Sequence, residues 1–270
     1  MTDLGSPFYS QLGLNVETYD ARVSVELPEF LEGDLEFYVS HAFETGGPVL
    51  ELGCGTGRVA WHLARGGFDV VGLDKSDPMI CAAEAKRWQL AEEVQPRATF
   101  VEADMASFDL KEHSFPLIII PYRTFQALVE PEEQRSCLQC IRRHLAPEGW
   151  LILDLFDPRL EYLTVDSGHV ASRKDIRAPL TGNPVSIEVL SRENDPASQV
   201  FTEVWRFTEK AGADEIVRQE EEILKLRWTY RWELRYLLEL TGFEIEAEYS
   251  DFQGAPPEYG KEQVLVIKKA

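Results

Sequence analysis

The sequence predicts an α/β protein: a doubly wound, mostly parallel sheet of seven strands with an antiparallel C-terminal hairpin, plus an inserted antiparallel β segment. Three observations carry this. From Pro48 onward, short apolar runs alternate with helical patterns, the signature of βαβ units. The runs Val49-Leu50, Val70-Val71-Gly72-Leu73, Leu117 to Ile120 and Leu151-Ile152-Leu153 are apolar on both faces, as in sheets covered by helices on each side. Between about 160 and 227 the period changes to two, in Val185-Ser186-Ile187-Glu188-Val189 and again from Val200 to Phe207.

Residues 6–42 read as two helices. Phe8, Leu12, Leu14 and Tyr19 form the first apolar stripe and Phe30, Leu31, Phe37 and Tyr38 the second, with Pro28 suited to the start of the second helix. Strands are expected at 48–53, 68–74, 97–103, 116–121 and 149–155, and helices near 57–66, 77–92 and 131–145. Turn clusters at Asn194-Asp195-Pro196 and Lys210-Ala211-Gly212 divide the alternating stretch into a meander. A helix at 229–241, closed by Gly242, and strands at 243–250 and 262–269 complete the sheet. The expected organisation is an N-terminal helical cap over 1–44, a core over 45–159 and 228–270, and an insertion over 160–227.

Composition narrows the function. The 270 residues carry 27 Lys+Arg against 47 Asp+Glu, a formal charge of −20. Such a surface repels phosphate backbones and anionic lipid, so nucleic-acid and membrane partners are not expected. The longest apolar runs are far short of the ~20 residues that span a bilayer. The start, Met1-Thr2-Asp3-Leu4-Gly5, lacks the features of a signal peptide. Four cysteines make no disulfide framework. The expected location is the cytoplasm, and the expected state is a monomer or homodimer.

The most informative segment is Val49-Leu50-Glu51-Leu52-Gly53-Cys54-Gly55-Thr56-Gly57-Arg58. An apolar strand runs into three alternate glycines and then a helical pattern, so the backbone turns tightly beside free helix N–H groups and invites a nucleotide. A dinucleotide loop G-x-G-x-x-G needs glycine where Arg58 stands, and no P-loop Lys-Ser/Thr follows. Glu51, ending the strand beneath the loop, would repel a pyrophosphate but suits a ligand bearing an ammonium and a sulfonium. The ligand chemistry points to S-adenosylmethionine.

This segment resembles motif I of the class I S-adenosylmethionine-dependent methyltransferases, whose pattern E/D-x-G-x-G-x-G is met by Glu51, Gly53, Gly55 and Gly57. The family's fold is Rossmann-like. The likeness extends in register through Asp74-Lys75-Ser76-Asp77-Pro78-Met79, where the family pattern is D-x-S-x-x-M. It implies that Asp74 takes the ribose hydroxyls, that Ser76 or Asp77 caps the next helix, and that Met79 lies against the adenine. Asp104 and Met105 would meet the adenine edge, and Pro121-Tyr122 would border the pocket on its substrate side. Tyr19, in Glu17-Thr18-Tyr19-Asp20, is similar to a tyrosine that covers the cofactor's methionine end in small-molecule members. The expected cofactor-binding set is Tyr19, Glu51, Gly53, Cys54, Gly55, Gly57, Arg58, Asp74, Lys75, Met79, Asp104, Met105 and Pro121. The inserted meander and N-terminal helices are expected to close over the site as a lid.

The substrate is less legible. Amine methyltransferases of bases or glutamine carry D/N-P-P-Y/F where this chain has Ile120-Pro121-Tyr122-Arg123, so that class is disfavoured. No acidic metal ligands accompany the 117–121 run, and no metal is expected. Cys137 and Cys140 sit one helical turn apart without a second soft pair, which reads as a packed helix face. Substrate-pocket candidates are Tyr122, Arg123, Asp157, His169, Tyr230 and Tyr236. Asp154 or Asp157 lines the mouth, or forms a turn with Pro158. The resulting expectation is methyl transfer to a small-molecule N or O acceptor, with no catalytic residue assigned. The competing readings are a binding protein without transfer activity, a methyltransferase on protein or tRNA, and an NAD-dependent oxidoreductase.

Overall fold

The computed structural model describes residues 5–110, 114–160, 172–212 and 215–270. The central sheet contains β2 (Val49–Leu52), β3 (Val70–Asp74), β4 (Ala98–Glu102), β5 (Phe115–Ile120), β6 (Leu145–Phe156), β11 (Phe243–Tyr249) and β12 (Glu262–Lys269). Their order is β11-β12-β6-β5-β2-β3-β4. The five strands from β6 to β4 are parallel, while β12 runs antiparallel to both β6 and β11. The seven strands, the parallel majority and the C-terminal hairpin are those the pattern predicts. The chain winds outward through β2, β3 and β4, then returns to lay β5 on the other side of β2. The crevice of such a sheet opens where that reversal occurs, beyond the C-terminal ends of β2 and β5.

Helices cover both faces, which is why the strand runs are apolar throughout. On one face Leu50, Leu52, Ile118, Ile120 and Leu153 pack with Cys137, Leu138 and Ile141 of α6 (Pro131–His144) and Leu234 and Leu238 of α7 (Arg231–Leu240). On the other, Val49, Leu117, Ile119 and Ile152 pack with Tyr38 and Ala42 of α3 (Asp34–Thr45) and Val59 and Leu63 of α4 (Arg58–Arg65). Cys137 and Cys140 thus face the core and are free thiols. The helix expected at 77–92 ends earlier: α5 spans Asp77–Lys86 and is followed by a single 3₁₀ turn, Arg87–Gln89. There the Arg87 guanidinium stacks over Trp61 at 5.2 Å and donates to the Ala98 carbonyl at 3.0 Å, drawing the chain toward β4.

A second, five-stranded sheet has the order β1-β10-β9-β8-β7, from β1 (Ser6–Pro7), β7 (Ser172–Arg177), β8 (Pro184–Asp195), β9 (Val200–Ala211) and β10 (Glu215–Arg227). The last four form an antiparallel meander. Its strands are longer than the two alternating runs imply.

The N-terminal segment departs from the expected pair of helices. Residues 6–7 are a strand parallel to β10, and the Phe8 N–H donates to the Ile223 carbonyl at 3.0 Å. Leu12 is 71% exposed, and helix begins only at α1 (Leu14–Glu17), followed by α2 (Tyr19–Phe30). Backbone committed to sheet pairing cannot also form the helical ladder, so the Phe8–Tyr19 stripe is not one helix. Pro28 lies inside α2 rather than at a start. The next helix, α3, begins after Gly33 in a left-handed conformation, φ 88°.

Candidate functional site

The β2–α4 turn is built by its glycines. Gly53, Gly55 and Gly57 have φ of 67°, 53° and 74°, so every second residue is left-handed. Gly53 also lies where a β-carbon would overlap the Thr124 methyl from the loop after β5, and one at Gly57 would come within 2.9 Å of Phe100 and Trp61. The turn is pinned to β3 by the Gly53 and Cys54 N–H groups, which donate to the Leu73 carbonyl at 2.7 and 3.0 Å. Cys54 is buried, and burial holds its thiol well above its usual range. It fills the space beside Gly72, where a β-carbon would lie 3.0 Å from its sulfur.

Two carboxylates frame the turn. Glu51 is 2% exposed, and its Oε2 makes no hydrogen bond. Burial pushes its carboxyl up to about 8, opposed by the Arg58 charge and a backbone hydrogen bond from Ala60. Asp74, ending β3, accepts from the Gly55 N–H at 2.8 Å through one oxygen and from the Ser76 N–H at 2.8 Å through the other. Burial raises its value, and these two donors oppose the rise. Ser76 caps α5 by accepting from the Met79 N–H at 3.2 Å.

The N-terminal segment lies directly over this turn. A β-carbon on Gly55 would stand 3.9 Å from the Tyr19 hydroxyl and 4.0 Å from the Met79 sulfur. Tyr19 and Met79 belong to one buried cluster with Val16 and Val23. The Tyr19 ring meets Tyr9 edge-on at 5.7 Å and Tyr122 at 6.4 Å, and its hydroxyl is raised chiefly by burial. The Ser76 hydroxyl donates to the Tyr9 carbonyl at 2.5 Å. Lys86 donates to Thr56 Oγ1 at 2.9 Å and pairs with Asp20 at 2.6 Å, while Thr56 donates to Asp20 at 2.7 Å.

Arg58, the first residue of α4, forms a two-pronged pair with Asp34 at the start of α3. Burial alone would lower its value, but Asp34 holds it above the ordinary one. Across the reversal, Pro121 is buried, and Tyr122 and Arg123 follow with φ of 57° and 61°. The Arg123 side chain pairs with Glu262 of β12 and lies over Phe156 at 5.7 Å. Asp154, fully buried on β6, accepts from the Tyr122 N–H, the Arg123 N–H and the Tyr38 hydroxyl. Burial, with Glu262 adding to it, pushes the Asp154 carboxyl up to about 7.

The structure therefore brings Tyr19, Glu51, Gly53, Cys54, Gly55, Gly57, Arg58, Asp74, Met79, Pro121, Tyr122 and Arg123 to the reversal point. Lys75 beside Asp74 is exposed. Asp104 is exposed in the turn after β4, accepting from the Ala106 N–H at 2.8 Å, and Met105 packs against the core. Asp157 is committed to the hairpin loop: its carboxylate accepts from the Gly260 N–H at 2.8 Å, and its own N–H donates to the Lys261 carbonyl. Tyr230 is the N-cap of α7. Tyr236 is 57% exposed and packs on Trp232, outward from the sheet. His169 lies outside the described residues. Among the described residues no cluster of three or more His, Cys, Asp or Glu side chains could hold a metal ion, and no helix is long and apolar enough to cross a membrane.

Pattern reading missed Asp34, Tyr38, Thr56, Thr124 and Glu262. It also missed Arg22, whose guanidinium lies 5.4–5.9 Å from the Tyr9, Tyr19 and Trp205 rings. Thr56 alone carried a local signal, since it stands inside the glycine turn.

Known proteins agree with this geometry. Residues 49–149 match the family model described as a methyltransferase domain. The chain is 28% identical over 252 residues to the cypemycin N-terminal methyltransferase of a Streptomyces species, covering 93% of this chain and 94% of that one. In fold it is similar to an S-adenosylmethionine-dependent methyltransferase from Clostridium acetobutylicum, with TM-score 0.74 and 15% identity over 94% of this chain and 97% of that one. It is also similar to CalS10, an amino pentose methyltransferase from Micromonospora echinaspora, with TM-score 0.67 and 18% identity over 92% and 96% of the two chains. In its motif, its strand order and these relatives, the chain is similar to the class I S-adenosylmethionine-dependent methyltransferases, and residues 49–149 carry the match to a methyltransferase domain.

Proposed function

We propose that this chain binds S-adenosylmethionine at the β2–β5 reversal and transfers its methyl group to the nitrogen of a small-molecule amine. The observation that carries the cofactor is Glu51. A buried carboxylate oxygen without a partner is costly, and it stands under a turn of left-handed glycines where an ammonium would satisfy it. Asp74 would hold the ribose hydroxyls while keeping the Gly55 and Ser76 N–H groups in place. Tyr19 and Met79 would cover the ligand from α2 and α5, and Asp104 and Met105 would meet the adenine edge. The N-terminal segment and the inserted sheet act as the lid, since Tyr9, Tyr19 and Asp20 already reach the turn and α5. The chain divides accordingly into a cap over 1–44, a core over 45–159 and 228–270, and the insertion over 160–227.

Bound S-adenosylmethionine supplies an electrophilic methyl on a sulfonium. The protein's part is alignment and exclusion of water: Tyr19, Tyr122 and Tyr9 make an aromatic wall, and the lid shields the acceptor. An amine acceptor needs only to arrive unprotonated, which demands no strong base. Support for nitrogen comes from the names of two similar proteins, the cypemycin N-terminal methyltransferase and the sugar N-methyltransferase KedS8. Calorimetry with S-adenosylmethionine and with NAD tests the cofactor, and binding of NAD alone would overturn it. Transfer of labelled methyl across amino sugars, free-amine peptides and phenols tests the acceptor. Labelling of phenols only would overturn the amine.

A further inference from the structure

The loop that follows β5 adopts a conformation its residue types do not favour. Tyr122 and Arg123 are consecutive non-glycine residues with φ of 57° and 61°. Left-handed backbone at bulky residues persists only where surroundings over-determine it. Here the Thr124 N–H and hydroxyl both return to the Pro121 carbonyl, at 3.3 and 2.6 Å, and one carboxylate takes the two left-handed amides themselves. Asp154 accepts from the Tyr122 N–H at 3.0 Å through Oδ1 and from the Arg123 N–H at 2.9 Å through Oδ2. The Tyr38 hydroxyl, from α3, donates to Oδ1 at 2.8 Å and fixes the carboxylate's own orientation. The Arg123 side chain is anchored separately, on Glu262.

Two side chains carried by this loop reach the site. Tyr122 meets Tyr19 edge-on, and the Thr124 methyl occupies the space that the missing β-carbon of Gly53 leaves. We propose that Asp154 is a positioning residue: by clamping two successive left-handed peptides it sets where Tyr122 and Thr124 stand on the acceptor side of the site. The acceptor side is defined by the proposed methyl transfer, on which this part of the proposal rests; the clamp itself does not depend on it. Asp154 touches neither cofactor nor acceptor and acts only through the loop. Its full burial and its place on β6, one strand beyond β5, give it no route to the reacting atoms.

The test compares Asp154→Asn and Tyr38→Phe with the full-length wild-type chain in three measurements. Hydrogen–deuterium exchange of a peptide spanning 119–126 reads the clamp. Calorimetry reads S-adenosylmethionine affinity, and labelled methyl transfer to an amino-sugar and peptide panel reads positioning. Asparagine turns an NH₂ donor toward one of the donors that the carboxylate accepts. Asp154→Asn is therefore expected to raise exchange at 122–124 at least tenfold and to lower the transfer rate at least tenfold, with cofactor Kd moving less than threefold. Tyr38→Phe, which leaves both amide bonds, is expected to shift the same two readouts about threefold. Exchange and transfer both within twofold of wild type would overturn the proposal. So would losses of melting temperature and cofactor affinity in step with the loss of transfer, which would make Asp154 merely structural. If Asp154→Asn does not fold, Tyr38→Phe decides by the same criteria. A wild-type chain that fails to bind S-adenosylmethionine refutes the cofactor reading alone, and the exchange measurement still judges the clamp.

Discussion

Replacing Glu51 by glutamine should stabilise the ligand-free protein above neutral pH and weaken its hold on the cofactor. The Glu51 carboxyl is pushed up to about 8 from an ordinary value of 4.5, first of all by burial. A raised carboxyl keeps its proton in the folded chain while the unfolded chain loses it. Stability is thus complete below about pH 4.5, falls as pH rises from there to about 8, and is level beyond. That interval corresponds to at most ~5 kcal/mol at about 1.4 kcal/mol per pH unit. Glutamine has nearly the shape of the protonated acid and no proton to lose, so the variant escapes the decline. Asp154 titrates in both proteins, and the difference between them isolates Glu51. Even ~2 kcal/mol would raise the melting temperature by roughly 4–8 °C at pH 8.5 and by nearly nothing at pH 5. Scanning calorimetry from pH 5 to 8.5 measures this. In titrations the wild type should bind S-adenosylmethionine more tightly as pH rises toward 8, and the variant should bind weakly with no such slope. Superimposable stability curves for the two proteins would refute the electrostatic account of Glu51. Equal cofactor affinity would refute its placement beneath the ammonium.

Three further substitutions probe other parts of the site. Gly53→Ala forces a side chain onto left-handed backbone and into the Thr124 methyl, and it should reduce cofactor affinity more than tenfold; adding Thr124→Ser should recover part of the loss in calorimetric titrations. Asp74→Ala leaves the Gly55 and Ser76 N–H groups without their acceptor and removes the proposed ribose partner, so cofactor Kd should rise at least tenfold. Asp34→Ala strands Arg58, whose side chain is only 15% exposed, and should cost about 3 kcal/mol in urea unfolding.

Much of this fold was legible because its signals are local. A parallel strand buried on both faces is written as a short apolar run, and the glycine turn, Asp74 and the Ser76 cap follow one another within thirty residues. What escaped reading has partners far along the chain. Residues 6–7 become strand because 222–223 lie beside them, and the Glu222 and Glu220 carboxylates then take the Tyr9 and Leu14 N–H groups, more than 200 residues away. No periodicity in 6–19 could announce that. The left-handed pair Tyr122-Arg123 gives no residue-type cue either, since glycine or asparagine would be the usual marker. Its cause is a carboxylate thirty-two residues on, held by a tyrosine 116 residues away from it. Asp154 was visible as an acid near a strand end, where lining the mouth and forming a turn were both open. Its burial and its three donors make it the support of the neighbouring loop.

Helix α3 connects these observations. Asp34 and Tyr38 stand one turn apart on the same face of it, and each reaches a different side of the reversal. Asp34 pairs with Arg58 just after the β2 turn, and Tyr38 holds Asp154 beneath the loop after β5. Asp34 sits in the first turn of α3, at the helix end that suits an acidic side chain. The two loops that flank the crevice are therefore tied to one helix as well as to the paired strands β2 and β5 that carry them. That arrangement explains why Gly53 and Thr124 can approach so closely without a direct hydrogen bond to set their distance. It also separates two kinds of acid in a chain of net charge −20. Asp34 and Asp154 build the walls of the crevice and have their partners within the protein, whereas Glu51 keeps an oxygen without one. A carboxyl that the protein buries with one oxygen unsatisfied, and that a cation beside it would ionise, is the part of the site that asks for a cationic ligand.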